Sequence, residues 1–251
     1  MKEKNDLLIS VITVVLNDAN NIEKTIKSVI NQNYSNIEYI IIDGGSDDGT
    51  LKVIERFGRY ISHWVSEHDE GIFHAMNKGL RKAKGDYVCF LNSGDIYESE
   101  FLKTTFLDKY SIEIDCYHSN MHLIKGGQIA GIAKPIKNLN MIRYHMANPL
   151  LHPTLIVKRS LFESIGNFDL TYKLAADHDW VYRLIKSGAN ISYVDVTCMY
   201  FLLDGASSSN NALQESKDIL KKNGLGYLQS NVIYCFIRYF VKKYANSFKI
   251  Q

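Results

Sequence analysis

The sequence is poor in several features that would each point to a particular class of protein. Its four cysteines, Cys89, Cys116, Cys198 and Cys235, stand far apart and form no CxxC pair, which excludes a zinc knuckle and a dithiol redox motif. We expect them to be small buried residues in a reducing compartment. The 29 basic and 27 acidic residues are interspersed and leave a formal charge of only +2, so the composition does not indicate a nucleic-acid partner.

Long apolar runs are also missing. No stretch reaches the ~20 uncharged apolar residues that a membrane-spanning helix needs. The apolar run from Leu7 to Leu16 is shorter than that, and acidic residues precede it where a signal peptide has only basic ones. We therefore expect a protein that is made and kept in the cytoplasm. At 251 residues and 46% apolar, the chain has ample material for a large core.

Strands and helices alternate along roughly the first hundred residues. The segment from Ile9 to Leu16 is β-branched and almost continuously apolar, which predicts a strand buried on both faces of a parallel sheet. Similar short runs end at Asp43, Ser66 and Leu91, and a segment with helical spacing follows each of them. Four such alternations predict an α/β fold with a mainly parallel sheet and right-handed crossovers.

The rest of the chain has a different pattern. Short strands joined through Gly126 and Gly127 indicate an antiparallel extension of the sheet. The predicted strands are Asp115–Asn120, Met121–Ile124, Gln128–Ala133, Thr154–Val157, Ile191–Val196 and Thr197–Leu203. The predicted helices are Phe101–Tyr110, Leu139–His145, Arg159–Ile165 and Ala176–Lys186.

We expect two parts, an α/β domain over residues 1–209 and a C-terminal helical extension over residues 210–251. From Tyr227 to Phe248 the extension mixes aromatic and aliphatic residues with basic ones such as Arg238 and Lys242. Two interpretations of this tail stay open. It is either a helix packed on the domain, or an amphipathic helix that lies in the plane of a membrane with basic residues at its flanks.

Polar turns follow several of the predicted strands. Asn92-Ser93-Gly94-Asp95 forms a tight corner after the fourth strand, and an acidic, glycine-containing turn from Asp43 to Thr50 follows the second. Ligands of open α/β sheets bind at the carboxyl ends of the strands, although Asp and Gly are also common turn residues. The GGSDDG turn lacks the order G-x-G-x-x-G, and its acidic residues would repel phosphate, so we do not predict a dinucleotide-binding site.

Four segments in this order resemble the inverting glycosyltransferases of family 2: VITVVLN, IIIDGGSDDGT, EHDEGIFHAMNKGLRKAKGDYVCFLNSGD and ADHDW. The resemblance covers about Ile9 to Ser209 and extends to the bacterial group that builds capsule, O-antigen or colanic-acid-type polysaccharides. It implies a GT-A-like sheet flanked by helices, and transfer of a sugar from a nucleotide donor, UDP-sugar by preference, to a lipid-linked saccharide. Such an enzyme would be cytoplasmic, with peripheral contact to the inner face of the plasma membrane if the tail binds lipid.

The resemblance assigns donor contacts to three of these segments. Asn17 and Asp43 correspond to the nucleoside site, where a carboxylate can accept a hydrogen bond from N3–H of uracil. Asp69 corresponds to a donor-sugar contact. Lys78 is either a diphosphate contact or a solvated helix lysine.

The corner after the fourth strand matches the D-x-D element of the family, with one departure. Asn92 or Ser93 replaces the first acid, so Asp95 is the only carboxylate left in this donor-binding corner. One carboxylate together with substrate phosphate oxygens and water can hold Mn²⁺ or Mg²⁺. The resemblance thus implies a divalent metal at Asp95 that binds chiefly together with the donor.

Asp177 in ADHDW matches the catalytic base of the family, which takes the proton of the acceptor hydroxyl as that hydroxyl attacks the sugar. The acid that usually precedes this position is Ala176 here, so Asp179 stays open as the alternative base on the acceptor side. His152 matches a recurrent acceptor-side position.

The sequence also bears on two functions of other classes. The missing first acid also fits a nucleotide-sugar-binding protein without transferase activity. A nucleotidyltransferase would need a basic, glycine-rich loop after the first strand, where this sequence has Asn17-Asp18-Ala19-Asn20.

Overall fold

The structure, a computed structural model, describes residues 6–135, 150–203 and 210–223. Its strands are β1 Ile9–Val15, β2 Ile37–Asp43, β3 His63–Ser66, β4 Tyr87–Phe90, β5 Ile96–Tyr97, β6 Cys116–Lys125, β7 Gln128–Ala133, β8 Ile156–Lys158 and β9 Ile191–Leu202. Its α-helices are α1 Ile22–Ile30, α2 Thr50–Arg56, α3 Ile72–Lys82, α4 Arg159–Ile165, α5 Ala176–Lys186 and α6 Asn210–Lys222. Within these ranges the strands form one sheet in the order β3-β2-β1-β4-β8-β6-β9-β5, and β7 pairs with β6.

The amino-terminal half of the sheet is parallel, as the sequence predicts. Strand β1 lies between β2 and β4 and pairs in parallel with both. All seven of its residues are buried, because helices cover both faces of the sheet. Ile9 and Val11 pack with Ile26 of α1 on one face, whereas Ile12 packs with Met76 of α3 on the other. The continuous apolar character of β1 therefore has a direct structural cause.

The second half of the sheet is mixed. Strand β8 is antiparallel to both β4 and β6, while β6 and β9 run parallel to each other. The sequence predicts two short strands in place of β6 and two in place of β9, but each is a single long strand. Register shifts on either side of Asn120 keep the two strands paired where the apolar pattern is interrupted. Such irregularities bend a strand without ending it, which explains the difference.

Two further predictions were incomplete. The helix expected over Phe101–Tyr110 is a π-helical turn, Leu102–Phe106, followed by a 3-10 turn, Leu107–Lys109. The strand expected over Thr154–Val157 starts two residues later, because a 3-10 turn occupies His152–Thr154.

Other predicted segments lie outside the described residues, among them the helix around Leu139–His145 and the tail from Tyr227 to Phe248. Helix α6 opens the predicted extension and packs against α5. The boundary at residue 209 stays a prediction. Across the ranges that the structure covers, no helix combines the length and the apolar character that crossing a bilayer requires.

Helix α3 approaches β1 closely because Gly79 faces it. A Cβ atom at Gly79 would lie 2.4 Å from Cγ2 of the fully buried Ile12. The contact allows α3 to pack close against the sheet. The amino terminus of α3 lies beside the carboxyl ends of β1 and β4.

We expect Gly79→Ala to destabilise the protein. Overpacking of this kind costs about 1–3 kcal/mol, which outweighs the gain of up to about 1 kcal/mol in helix propensity. Urea unfolding measures the change, and Gly58→Ala is the matched control because nothing lies within 4 Å of a Cβ atom there. Equal midpoints for the two variants would contradict the close contact.

Candidate active site

A cleft of about 480 Å³ lies at the carboxyl ends of the parallel strands. Four of the predicted donor-site residues line it, namely Asn17, Asp69, Asn92 and Ser93. Gly44, from the turn after β2, and Ile72, from the first turn of α3, complete its wall. The strand ends therefore bring together residues from three of the four motif segments, as expected for an open α/β sheet.

Asn17 joins the loop after β1 to the turn after β2. Its backbone is in the left-handed region, with φ of 50°, which Asn tolerates better than most residues. Its N–H donates to Ser46 Oγ at 2.7 Å, and its side-chain oxygen accepts from the N–H of Asp47 at 2.9 Å. The side chain is exposed at the cleft.

Asp43 lies at the end of β2 and is completely buried. Its carboxylate accepts hydrogen bonds from the N–H groups of Gly45 and Ser46 at 3.0 and 2.9 Å. It also accepts from the hydroxyl groups of Ser46 and Ser66 at 2.5 and 2.6 Å. In the described structure this carboxylate therefore organises the turn, and the cleft is lined by its neighbour Gly44. Its assignment as a nucleoside contact stays a prediction.

Asp18 is a cleft residue that the sequence reasoning did not include in the site. Its Oδ2 accepts from the Ser93 hydroxyl at 2.7 Å, and its Oδ1 accepts from the Asn21 side chain at 2.7 Å. A carboxylate from the β1 loop thus stands beside Ser93, at the corner whose first acid is missing. The available signal was an acid directly after Asn17, at the end of a predicted strand.

The Asn92–Asp95 corner is held from both sides. The Thr25 hydroxyl of α1 donates to the carbonyl of Asp95 at 2.9 Å, and the N–H of Leu202 in β9 donates to the Asp95 carboxylate at 2.9 Å. Asp95 is 4% exposed. Burial raises the pKa of its carboxyl to about 7, although the bond from Leu202 lowers it.

The described ranges contain no group of three or more His, Cys, Asp or Glu side chains arranged to hold a metal. The cleft nevertheless offers oxygen atoms from Asp18 and Asn92, the kind of ligand that Mg²⁺ and Mn²⁺ prefer, whereas the buried Asp95 does not line it. Asn92 Oδ1 is buried without a hydrogen-bond partner, so a ligand or cation would satisfy it. Asn92 and Asp18 thus fit a divalent cation that is held jointly with phosphate oxygens, and a metal at Asp95 stays a prediction.

Asp69 forms an ion pair inside the cleft wall. Lys78 Nζ lies 2.7 Å from Asp69 Oδ1 and 2.8 Å from Glu67 Oε1. Burial lowers the pKa of Lys78, but the bonds to the two acids outweigh it and leave the pKa raised. Lys78 is thus committed to neighbouring acids in this structure, and its contact with a diphosphate stays a prediction.

The two acids in the first turn of α5 have different environments. Asp179 is 3% exposed and accepts from Arg183 Nε at 2.8 Å, which makes it part of a structural ion pair. Asp177 is less buried and has no ion-pair partner among the described residues. Burial raises the pKa of Asp177 to about 6, bonds from backbone N–H groups lower it, and the charge of Glu215 raises it. This difference favours Asp177 over Asp179 as a proton acceptor.

Helix α5 packs with β4, the strand that precedes the Asn92–Asp95 corner. Ala176 and Trp180 belong to the same buried cluster as Phe90 of β4 and Phe73 of α3. His152 also packs there, with its ring 5.4 Å from that of Phe90. Burial lowers the pKa of His152 to about 4, so its imidazole is neutral at neutral pH. His152 supports the wall behind the site here, and its contact with an acceptor stays a prediction.

A second groove, of about 610 Å³, lies near the start of β2, away from this edge of the sheet. Tyr34, Tyr39 and Tyr60 are among its lining residues, none of which is charged. It therefore offers no carboxylate or ammonium group to a charged ligand, and the cleft at the strand ends is the better candidate site.

The sequence profile of Glycosyl transferase family 2 matches residues 10–111 of the chain. An uncharacterized glycosyltransferase of Mycobacterium tuberculosis is 30% identical over 179 residues, which cover 70% of this chain and 68% of that protein. A PGL/p-HBAD biosynthesis glycosyltransferase of Mycobacterium bovis is 26% identical over 191 residues, which cover 74% of this chain and 72% of that protein.

Solved structures with the same fold include glycosyltransferases with bound nucleotides. Residues 1–349 of S. aureus TarS in complex with UDP superpose with a TM-score of 0.67 at 21% identity, covering 91% of this chain and 70% of that one. The mannosyltransferase PcManGT of Pyrobaculum calidifontis, in complex with GDP-Man and Mn²⁺, gives a TM-score of 0.66 at 18% identity, covering 96% and 73%. At these identities the likeness concerns the fold alone, and it confirms the mixed α/β sheet flanked by helices.

We expect Asp43→Asn to destabilise the protein by about 1–3 kcal/mol, because in either orientation its NH₂ group would face a donor that the carboxylate now satisfies. That donor is the Ser46 hydroxyl at Oδ1, or the N–H groups of Gly45 and Ser46 at Oδ2. Asp47→Asn is the matched control, since Asp47 lies in the same turn and its side chain is exposed. Thermal or urea unfolding of both variants measures the difference. A loss no greater than that of the control would contradict the organising role of Asp43.

Proposed function

The chain belongs to glycosyl transferase family 2, and we propose that it is an inverting hexosyltransferase that uses a UDP-sugar and acts on a lipid-linked saccharide. The observation that carries the proposal is the contrast within the first turn of α5. One acid there is paired with Arg183, while Asp177 has no ion-pair partner among the described residues and its pKa is raised. An inverting transfer needs such a group as its base.

The cleft supplies the donor side of the proposal. Asn17 presents an exposed polar side chain at the cleft, which suits hydrogen bonds with a base or a ribose. Asp69 lies beside Gly44, with its Oδ2 3.4 Å from the position that a Cβ atom of residue 44 would take. Its carboxylate would accept hydrogen bonds from hydroxyl groups of the donor sugar. UDP as the nucleotide is supported by the TarS complexes, which contain UDP in one case and UDP-GlcNAc in another.

A divalent cation would be held by Asp95 together with the oxygen atoms of Asn92 and Asp18. When bound, such an ion supplies positive charge that offsets the charge developing on the leaving diphosphate. The protein's own part is to fix these oxygens, through Ser93 on Asp18 and through Leu202 on Asp95. Metal dependence is supported by the solved relative that contains GDP-Man and Mn²⁺.

Asp177 would accept the proton of the acceptor hydroxyl while that oxygen attacks the anomeric carbon from the face opposite the nucleotide. The sugar–phosphate bond breaks as the new glycosidic bond forms, so the configuration inverts. The pKa near 6 leaves Asp177 ionised at neutral pH yet more basic than an ordinary aspartate.

The proposal also covers the acceptor and the location of the enzyme. A lipid-linked saccharide in the synthesis of a surface polysaccharide, such as capsule or O-antigen, follows from the resemblance of the motifs. The basic and aromatic residues of the tail, such as Lys242, Lys243 and Phe240, suit peripheral contact with an anionic membrane surface. The enzyme would then act in the cytoplasm, at the inner face of the plasma membrane.

A panel of nucleotide sugars tests the donor and the metal together. We expect release of UDP from one UDP-sugar, faster with Mn²⁺ or Mg²⁺ than with a chelator, because the cation offsets leaving-group charge. Calorimetry with UDP is the parallel binding measurement. UDP binding without product from any donor and acceptor would instead indicate a nucleotide-sugar-binding protein.

We expect Asp177→Asn to lower kcat by about 10²–10⁴ because the base is lost, with UDP affinity unchanged. For the wild type, kcat/KM should fall about tenfold per pH unit below pH about 6, as Asp177 becomes protonated. Initial rates from pH 5 to 8 and calorimetry measure both effects.

Asp179→Asn is the control within the same helix turn. It should lower stability, because Arg183 and the buried site lose an ion pair, while turnover per folded molecule stays high. Asp177→Asn should be at least as stable as the wild type at neutral pH, since burial disfavours the ionised carboxylate in the fold. Retained turnover in Asp177→Asn would remove Asp177 from the role of base.

A further inference from the structure

We propose that Glu215, on helix α6, is a positioning residue for the base Asp177. It lies more than one hundred residues beyond the family match, which ends at residue 111. The inference rests on the proposed function, because it concerns the group that would take the proton. It adds a residue from the predicted C-terminal extension to the catalytic arrangement.

The Glu215 carboxylate binds the segment that leads into α5. Its Oε1 accepts from the N–H of Lys173 at 3.0 Å, and its Oε2 accepts from the N–H groups of Leu174 and Ala175 at 2.7 and 2.9 Å. Three successive backbone N–H groups thus converge on one carboxylate, an arrangement typical of anion binding by the main chain. Charge-assisted bonds of this kind are stronger than neutral ones.

The bonds replace a feature that α5 lacks. Its N-cap residue is Ala175, one of the least favourable residues there, and no side chain caps the helix locally. Glu215 binds this N-cap residue from 40 residues away in the sequence. The entry of α5 is therefore fixed by α6, and Asp177 follows two residues after the last N–H group that Glu215 binds.

The far end of α6 is anchored to the same region. Lys222 Nζ lies 3.7 Å from Asp169 Oδ2 and 5.3 Å from the centre of the Tyr172 ring. Lys186 of α5 donates to the side chain of Asn223 at 3.0 Å. These contacts are exposed and individually weak, but they keep α6 aligned along the loop and helix that carry the base.

The charges around Asp177 come from α5, from the preceding loop and from α6. On α5, burial lowers the pKa of His178 to about 4, so it is neutral at neutral pH, and Asp179 is compensated by Arg183. Asp169, in the loop, and Asp179 both have Lys222 of α6 nearby. Glu215 is the group whose negative charge raises the pKa of Asp177, after the larger effect of burial. Glu215 thus acts in two ways, by fixing the backbone and by making the base stronger.

Two substitutions separate these effects. Glu215→Gln keeps an acceptor oxygen and removes the charge, so the ionised form of Asp177 becomes easier to reach and its pKa falls. We expect the acidic limb of the kcat/KM profile to move to lower pH. Glu215→Ala removes the bonds as well, and misplacement of the base should lower kcat by up to about 100-fold with UDP affinity unchanged.

The full chain is used throughout, with Glu163→Gln as the control, because it removes an exposed glutamate from α4. Carbon-13 NMR titration of the Asp177 carboxyl, assigned with Asp177→Asn, follows the same shift without any need for turnover. If Glu215→Ala fails to fold, Glu215→Gln still carries the test. An unchanged limb and an unchanged NMR titration in Glu215→Gln would overturn the proposal and leave Glu215 with a structural role only.

The two proposals fail in different ways. If Asp177→Asn keeps its turnover, Asp177 is not the base, and both that part of the proposed function and the role of Glu215 are wrong. If Asp177→Asn is inactive but Glu215→Gln titrates like the wild type, only the role of Glu215 is wrong.

Discussion

The buried carboxylate of Asp43 is the interaction on which the candidate site depends. It is the point where β2, the turn after it and β3 meet, through bonds from Gly45, Ser46 and Ser66. Removal of its charge from water is costly, and the surrounding donors offset that cost only if the turn keeps this one conformation. Because Ser46 in turn accepts from the N–H of Asn17, the end of β1 is fixed by the same network. One network of hydrogen bonds therefore joins the two loops that line this part of the cleft.

The amino-terminal half of the fold could be predicted because its signals are local. Seven consecutive, mostly apolar residues predict the buried strand β1, and the turns that follow the strands contain Gly, Asn and Asp. The lengths of β6 and β9 could not be predicted in this way. They depend on pairing across the sheet and on the register shifts beside Asn120, which no window of sequence records.

The same division holds in the site. Asn17, Asp69, Asn92 and Ser93 could be placed together because they follow strands that share one edge of the sheet. The charge of Asp179, by contrast, is offset by Arg183 one helix turn away, and the Asp179 side chain is buried only in the folded chain. The contact of Asp18 with the corner depends on the Ser93 hydroxyl, which is 75 residues away along the chain. Sequence spacing predicts where a carboxylate is, whereas its partners decide whether it is available for chemistry.

The same distinction applies to the proposed base, whose surroundings include Glu215 of α6, the helix after the last strand. A base with an elevated pKa needs surroundings that disfavour its ionised form, and such surroundings destabilise the fold at neutral pH. The destabilised segment must then be held by other contacts. At α5 the Arg183–Asp179 pair and the bonds from the loop to Glu215 hold the helix start, while Asp177 between them has no ion-pair partner in the described part of the chain. Under the proposed function, the arrangement assigns stability to Asp179 and reactivity to Asp177, two positions apart in α5.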